Sequence, residues 1–238
     1  MRWLLSFLIF IACAPAWAQQ VKVDLELVLA VDGSASVDYD EFNLQMGGFA
    51  AAFRDPRIIG SIMDGRQGSI AVTLMVWSGR DASVGGIDWH LVNDPASALE
   101  FSLALEKMFR PVTPGATAIN FAIRNALHRL RTNNYDGARM VIDLSGDGRE
   151  NNAVNALAAA DIGRREALAE GVTINGLPIL TDEPDLASYF REIVVGGPGA
   201  FMITANDYSD FGRAIREKLL REISGAMLIG RSRTLPHG

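Results

Sequence analysis

The chain reads as an α/β protein: a doubly wound, mostly parallel central sheet with helices on both faces and one short antiparallel edge strand. Three observations predict this. Short apolar runs alternate with helix-length segments, the pattern of repeated βαβ crossovers. Val28 to Val31 is continuously apolar, as expected of a strand covered on both faces. Turn clusters rich in Gly, Ser and Asp follow the first and fourth strands, where open α/β sheets build their sites.

The elements follow in order. Residues 25–31 form the first predicted strand, which ends at Asp32, Gly33 and Ser34. Ser36 stands in cap position for a helix to about Arg54, stopped by Asp55 and Pro56. A Gly- and Asp-rich loop leads to a second strand at 69–77. Residues 87–92 alternate and form a short third strand at a sheet edge. Pro95 opens a helix to about Phe109. After a loop with Pro111, Pro114 and Gly115, Thr117 opens the next helix, to about Arg131. Residues 138–144 make the fourth strand, and an Ala-rich helix after Gly148 runs to about Glu170. A fifth strand starts at 171, with Asn175 and Gly176 as a bulge or a turn. A short helix at 186–194, a sixth strand at 199–204 and a final helix at 207–223 complete the outline, and the polar tail from Gly230 is loose.

The N-terminus is of another kind. Arg2 precedes an apolar run over 3–12, and Ala16, Trp17 and Ala18 form a small-x-small site. This is the pattern of a secretory signal peptide cut after Ala18. The run is too short to span a bilayer comfortably, so the mature chain is expected in the periplasm or secreted, with no stable transmembrane segment. A lipoprotein anchored through Cys13 is the second reading. Cleavage at Ala18 removes the one cysteine, which leaves neither a disulfide nor a thiolate for metal or catalysis. Residues 19–238 show no linker or repeat and are expected to form one domain. A formal net charge of −6 without a basic stripe argues against nucleic acid as a partner.

Three polar clusters fall at predicted strand ends or helix starts: Asp32, Gly33, Ser34, Ala35, Ser36; then Gly115, Ala116, Thr117; then Ser145, Gly146, Asp147, Gly148. Asp32 and Asp147 supply carboxylates. Ser34, Ser36 and Thr117 supply neutral hydroxyls. An all-oxygen set selects a hard cation, Mg²⁺ or else Mn²⁺ or Ca²⁺. Two carboxylates neutralise a divalent ion. Short side chains need close backbone approach, which Gly33, Gly115 and Gly148 permit. So sparse a set leaves room for an outside ligand, and a partner protein's Asp or Glu carboxylate fits in charge and geometry.

These residues resemble the von Willebrand factor type A domain. Asp32-Gly33-Ser34-Ala35-Ser36 is similar to that family's Asp-x-Ser-x-Ser element, Gly115-Ala116-Thr117 to its threonine element, and Asp147-Gly148 to its Asp-Gly element. The resemblance covers about residues 23–223 and implies a metal-ion-dependent adhesion site. It implies Ser34, Ser36 and Thr117 as direct ligands, with Asp32 and Asp147 binding directly or through water. One departure stands out: where the family has Thr-Asp-Gly after the strand, this chain has Ser145-Gly146-Asp147-Gly148. The extra glycine displaces Asp147, or the strand ends one residue earlier. Residues 142–148 and 171–179 also resemble a group of exported bacterial proteins of this class (DUF1194-like) that has no established function.

A metal-dependent hydrolase or phosphatase using Asp32 is the alternative. Against it, Ser34 stands where an Asp-x-Asp loop needs a carboxylate, and no nucleophile elbow or phosphate loop occurs. A dinucleotide domain lacks its Gly-x-Gly-x-x-Gly. Asp143 sits in an apolar strand and, if buried, needs a partner; either it orients the expected metal loop from behind or it stands at a frayed or exposed strand position. His90, His128 and His237 lack metal-ligand spacing. Asp182, Glu183 and Asp185 read as a solvated loop, and Trp77 and Trp89 as packing residues.

Overall fold

The computed structural model describes residues 20–80, 84–153 and 156–231. The expected signal segment lies outside the described residues, as does the tail from 232 on. Among the described residues no helix is long and apolar enough to cross a membrane.

The strands are β1 (Val21–Val23), β2 (Leu25–Asp32), β3 (Ile70–Trp77), β4 (Gly85–Val92), β5 (Tyr135–Gly137), β6 (Met140–Gly146) and β7 (Thr173–Pro178). The central sheet has the order β4-β3-β2-β6-β7, with β4 antiparallel to β3 and the other pairs parallel. This is the expected α/β architecture. The chain leaves β2 toward β3 on one side and later returns to β6 on the other. The carboxyl ends of β2 and β6 therefore form the switch point, where such sheets open a crevice.

Helices cover both faces. Alternate residues of the strands, Leu27, Leu29 and Val31 among them, pack against α1 (Tyr39–Phe53), α2 (Pro56–Met63), α3 (Pro95–Glu106) and α7 (Phe211–Arg231). The opposite set, Val28, Ala30, Ile142 and Leu144, packs against α4 (Ile119–Arg131) and the short α6 (Leu186–Tyr189) with its π-helical continuation Phe190–Val194. α5 (Ala156–Ala169) places Ala167 in that second core. Every residue of β2 and β3 is buried, as a strand with a layer on each side requires.

Several local expectations change. Ser36 does not cap α1. Asp38 does, in a capping box with Glu41, whose backbone N–H and carboxylate complete the reciprocal pair. Asp55 and Pro56 stop α1 but also start α2, as N-cap and first helical residue, so the expected loop holds a helix. Thr117 is not a helix cap: α4 starts after Ala118, with no side-chain cap bond. β6 does not end early but runs through Gly146. Asn175 and Gly176 form neither bulge nor turn. They pair in register with Asp143 and Leu144 inside β7. A side chain at 176 would meet Phe190 and Val195 at 2.9 Å, so packing explains the glycine. Residues 199–204 form no sixth strand, only single bridges such as Gly176 to Met202. Gly197 and Gly199 hold φ values of 100° and 69° there, which break an extended run. β1 and β5, which the apolar pattern does not mark, form a separate parallel ribbon.

Candidate functional site

Asp32 is the last residue of β2, and its side chain is wholly buried. Val31 pairs with Ser145 across β2 and β6, which sets Asp32 beside Gly146. The fit is tight: a Cβ on Gly146 would stand 2.9 Å from Asp32 Oδ2. The extra glycine of the motif thus lets Asp32 and the end of β6 lie side by side. Asp147 follows directly and is also buried.

The hydroxyls join the carboxylates in a chain of contacts. The Ser34 amide donates to Asp32 Oδ1 at 2.7 Å. Ser34 Oγ lies 3.1 Å from Ser36 Oγ. Ser36 Oγ donates to Asp147 Oδ1 at 2.8 Å. Four of the five expected residues, Asp32, Ser34, Ser36 and Asp147, are therefore linked directly. Thr117 comes in from the side: its Oγ1 faces Gly148, where an added Cβ would lie 3.4 Å away. Thr117 is pinned by Asn151, which accepts from the Thr117 amide at 2.8 Å and donates its own amide to the Thr117 carbonyl at 2.9 Å. The Ala35 amide donates to the Gly115 carbonyl at 2.8 Å, which ties the first loop to the second.

One oxygen stands apart. Asp32 Oδ2 is buried and has no hydrogen-bond partner. Burial, and then the charge of Asp147, push the Asp32 carboxyl up to about 7, with the Ser34 bonds and the Asp147 backbone amide opposing. An ionised carboxylate here is costly unless a cation answers it. The donor set of carboxylates and hydroxyls fits a hard divalent ion such as Mg²⁺, Mn²⁺ or Ca²⁺. The surrounding field points the same way: burial raises Glu41 first, and the charges of Asp38, Asp147 and Asp182 add to it. Among the described residues, no three His, Cys, Asp or Glu side chains converge on one point, so His and Cys give no competing site.

The sequence did not announce three supporting residues. Arg110 donates to the carbonyls of Gly33, Ser34 and Val37, each at 2.6 Å, and lies over the Tyr39 ring. It fastens the Asp32–Ser36 loop from outside. Tyr208, in the 3-10 turn Tyr208–Asp210, donates its hydroxyl to Asp147 Oδ2 at 2.9 Å. Burial raises the Tyr208 phenol, and the charges of Asp147 and Asp32 raise it further, so it remains a donor. Gln45 of α1 reaches the Asp32 carbonyl at 3.4 Å. None of these belongs to a spaced motif, because each comes from a different element.

The remaining residues settle into structural places. Asp143 is buried and paired with Lys218. Glu183 and Asp185 pair with Arg149. His90 lies 3.8 Å from Glu100. Trp77 is buried in the core and Trp89 packs against Tyr135. His128 lies in α4, and His237 is outside the described residues.

Comparison with solved structures agrees on the fold. The vWF domain of the type V pili tip protein Mfa5 from Porphyromonas gingivalis superposes with a TM-score of 0.57 at 12% identity, over 91% of this chain and 99% of that one. The pilus adhesin SpaC from Lactobacillus rhamnosus GG gives 0.54 at 13% identity, over 87% of this chain and 31% of that one. Proximal thread matrix protein 1 from the mussel byssus, with a zinc-occupied MIDAS motif, gives 0.50 at 17% identity, over 88% and 49%. The chain thus spans about a third of the adhesin and about half of the byssus protein. A search of curated proteins found no match. The family model described as "Protein of unknown function (DUF1194)" matches residues 22–227, which take in the whole central sheet. The fold is that of a von Willebrand factor type A domain, and the chain belongs to the DUF1194 family.

Proposed function

We propose that this protein is a metal-dependent protein-binding module of the cell envelope. In this reading Asp32, Ser34, Ser36, Thr117 and Asp147 hold one divalent cation, Mg²⁺ first and Mn²⁺ or Ca²⁺ as alternatives. The cation then takes a carboxylate from an Asp or Glu of the partner. The observation that carries it is the buried Asp32 Oδ2, which makes no direct hydrogen bond, in one cluster with the Asp147 carboxylate and the Ser34 and Ser36 hydroxyls, with Thr117 facing Gly148 next to Asp147. The N-terminal pattern supports export to the periplasm or beyond, with cleavage near Ala18. Pilus and adhesin proteins among the structural neighbours suit a binding role.

A hydrolase built on Asp32 is less well supported. Asp32 is fully buried, with Oδ1 tied to the Ser34 amide. That posture suits a carboxylate that holds a cation more than one that attacks a substrate.

The test is capture of periplasmic protein on the immobilised mature domain, in Mg²⁺ and in chelator. A partner should be retained in Mg²⁺, released by chelator, and missing on an Asp32→Ala domain. Equal retention with chelator, or on Asp32→Ala, contradicts the reading.

A further inference from the structure

The two carboxylates of the site share a feature that bears on which cation they accept. Each has one oxygen that already accepts a hydrogen bond from the protein. Asp32 Oδ1 accepts the Ser34 backbone amide at 2.7 Å. Asp147 Oδ2 accepts the Tyr208 hydroxyl at 2.9 Å. Asp147 Oδ1 is held differently, by Ser36 Oγ at 2.8 Å. Ser36 is exposed, and its hydroxyl can turn to a cation and free that oxygen.

Tyr208 has no such freedom. Its side chain is buried at 4% exposure. Its turn is capped by Asp207, which accepts the Asp210 amide at 3.0 Å. The next residue, Phe211, packs edge-on against Phe49 at 5.3 Å between ring centres, with Gly48 beneath it. The Tyr208 ring is itself part of the core, and its hydroxyl is directed at Asp147.

We propose that Tyr208 is a metal-selectivity residue: by occupying Asp147 Oδ2 it restricts this carboxylate to one-oxygen binding and so disfavours Ca²⁺ relative to Mg²⁺. Ca²⁺ takes six to eight oxygens and gains from carboxylates that give two each, whereas Mg²⁺ takes six and keeps several waters. A site whose carboxylates each give one oxygen meets the demand of Mg²⁺ and falls short for Ca²⁺. This rests on the metal reading above, and Tyr208 acts through Asp147 as a positioning residue.

The experiment is calorimetric titration of wild type and Tyr208→Phe with Mg²⁺ and, separately, Ca²⁺, with circular dichroism to check folding. Infrared difference spectra of the carboxylate stretch in wild type with Ca²⁺ need no variant and read one-oxygen against two-oxygen binding. The expected results are a wild-type preference for Mg²⁺, a one-oxygen signature, and a gain of about tenfold in the Ca²⁺/Mg²⁺ affinity ratio in Tyr208→Phe. An unchanged ratio in a folded variant, or a two-oxygen signature in wild type, overturns the role of Tyr208 and leaves the metal site standing. Wild type that binds neither cation overturns both.

Discussion

Lys218 Nζ lies 2.6 Å from Asp143 Oδ2, and both side chains are excluded from solvent. The pair joins α7 to the middle of β6. Glu222 shares it, 3.5 Å from the ammonium, and in turn accepts from Asn175 Nδ2 at 2.5 Å. The Asp143 carboxyl is pushed up by burial, against the pull of Lys218. Removing one partner of a buried pair leaves an unanswered charge, which costs about 3–5 kcal/mol. Lys218→Met should lose stability of that order in urea denaturation, and Asp143→Asn with Lys218→Met should recover part of it. A single variant as stable as wild type would show that the pair does not hold α7.

Gly146 keeps Asp32 in place by offering it no side chain. The Cβ of Gly146→Ala would stand 2.9 Å from Asp32 Oδ2 and 3.5 Å from Trp77 Cζ2. The backbone at 146 is not in the left-handed region, so the penalty falls on Asp32 and its packing. Overpacking of this kind costs about 1–3 kcal/mol. Mg²⁺ affinity should fall by about tenfold or more, as when a ligand's supporting neighbour is altered. Titration of a folded Gly146→Ala protein with wild-type affinity would contradict this placement.

The Asp32 carboxyl, up at about 7 from an ordinary 3.8, makes the metal-free protein sensitive to pH. Between those values the native state keeps a proton that the unfolded chain has released. The stability due to this group is therefore fully present below about pH 4 and is lost as pH rises through about 7. A cation must displace the same proton. Mg²⁺ affinity should weaken by up to about tenfold per pH unit below 7, with protons released on binding. Calorimetry in buffers of different ionisation enthalpy reads both, and a flat profile from pH 8 to 5 would count against it.

The layered sheet was legible because β2 and β3 carry long apolar runs whose meaning depends on no distant residue. The Asp32–Ser36 loop was legible for a similar reason: its spacing is local. What escaped reading depends on partners far along the chain. Lys218 answers Asp143 across 75 positions, Tyr208 reaches Asp147 from the 3-10 turn that precedes α7, and Arg110 clasps a loop it follows by more than 70 residues. Ser36, just ahead of a helix-length segment, has the residue type and position of a helix cap. Asp38 takes that place and frees Ser36 for Asp147. The ribbon of β1 and β5 leaves no mark in the sequence, because three-residue strands carry too little pattern.

In the proposed reading, the Asp32–Ser36 loop and Asp147 hold a cation. The most direct measurement is calorimetric titration of Mg²⁺ and Mn²⁺ into the mature domain and into Ser34→Ala with Ser36→Ala. One ion should bind per wild-type chain, with little or no binding by the double variant, whose circular dichroism should be unchanged. Undiminished binding by the folded double variant, or none by wild type, would contradict it.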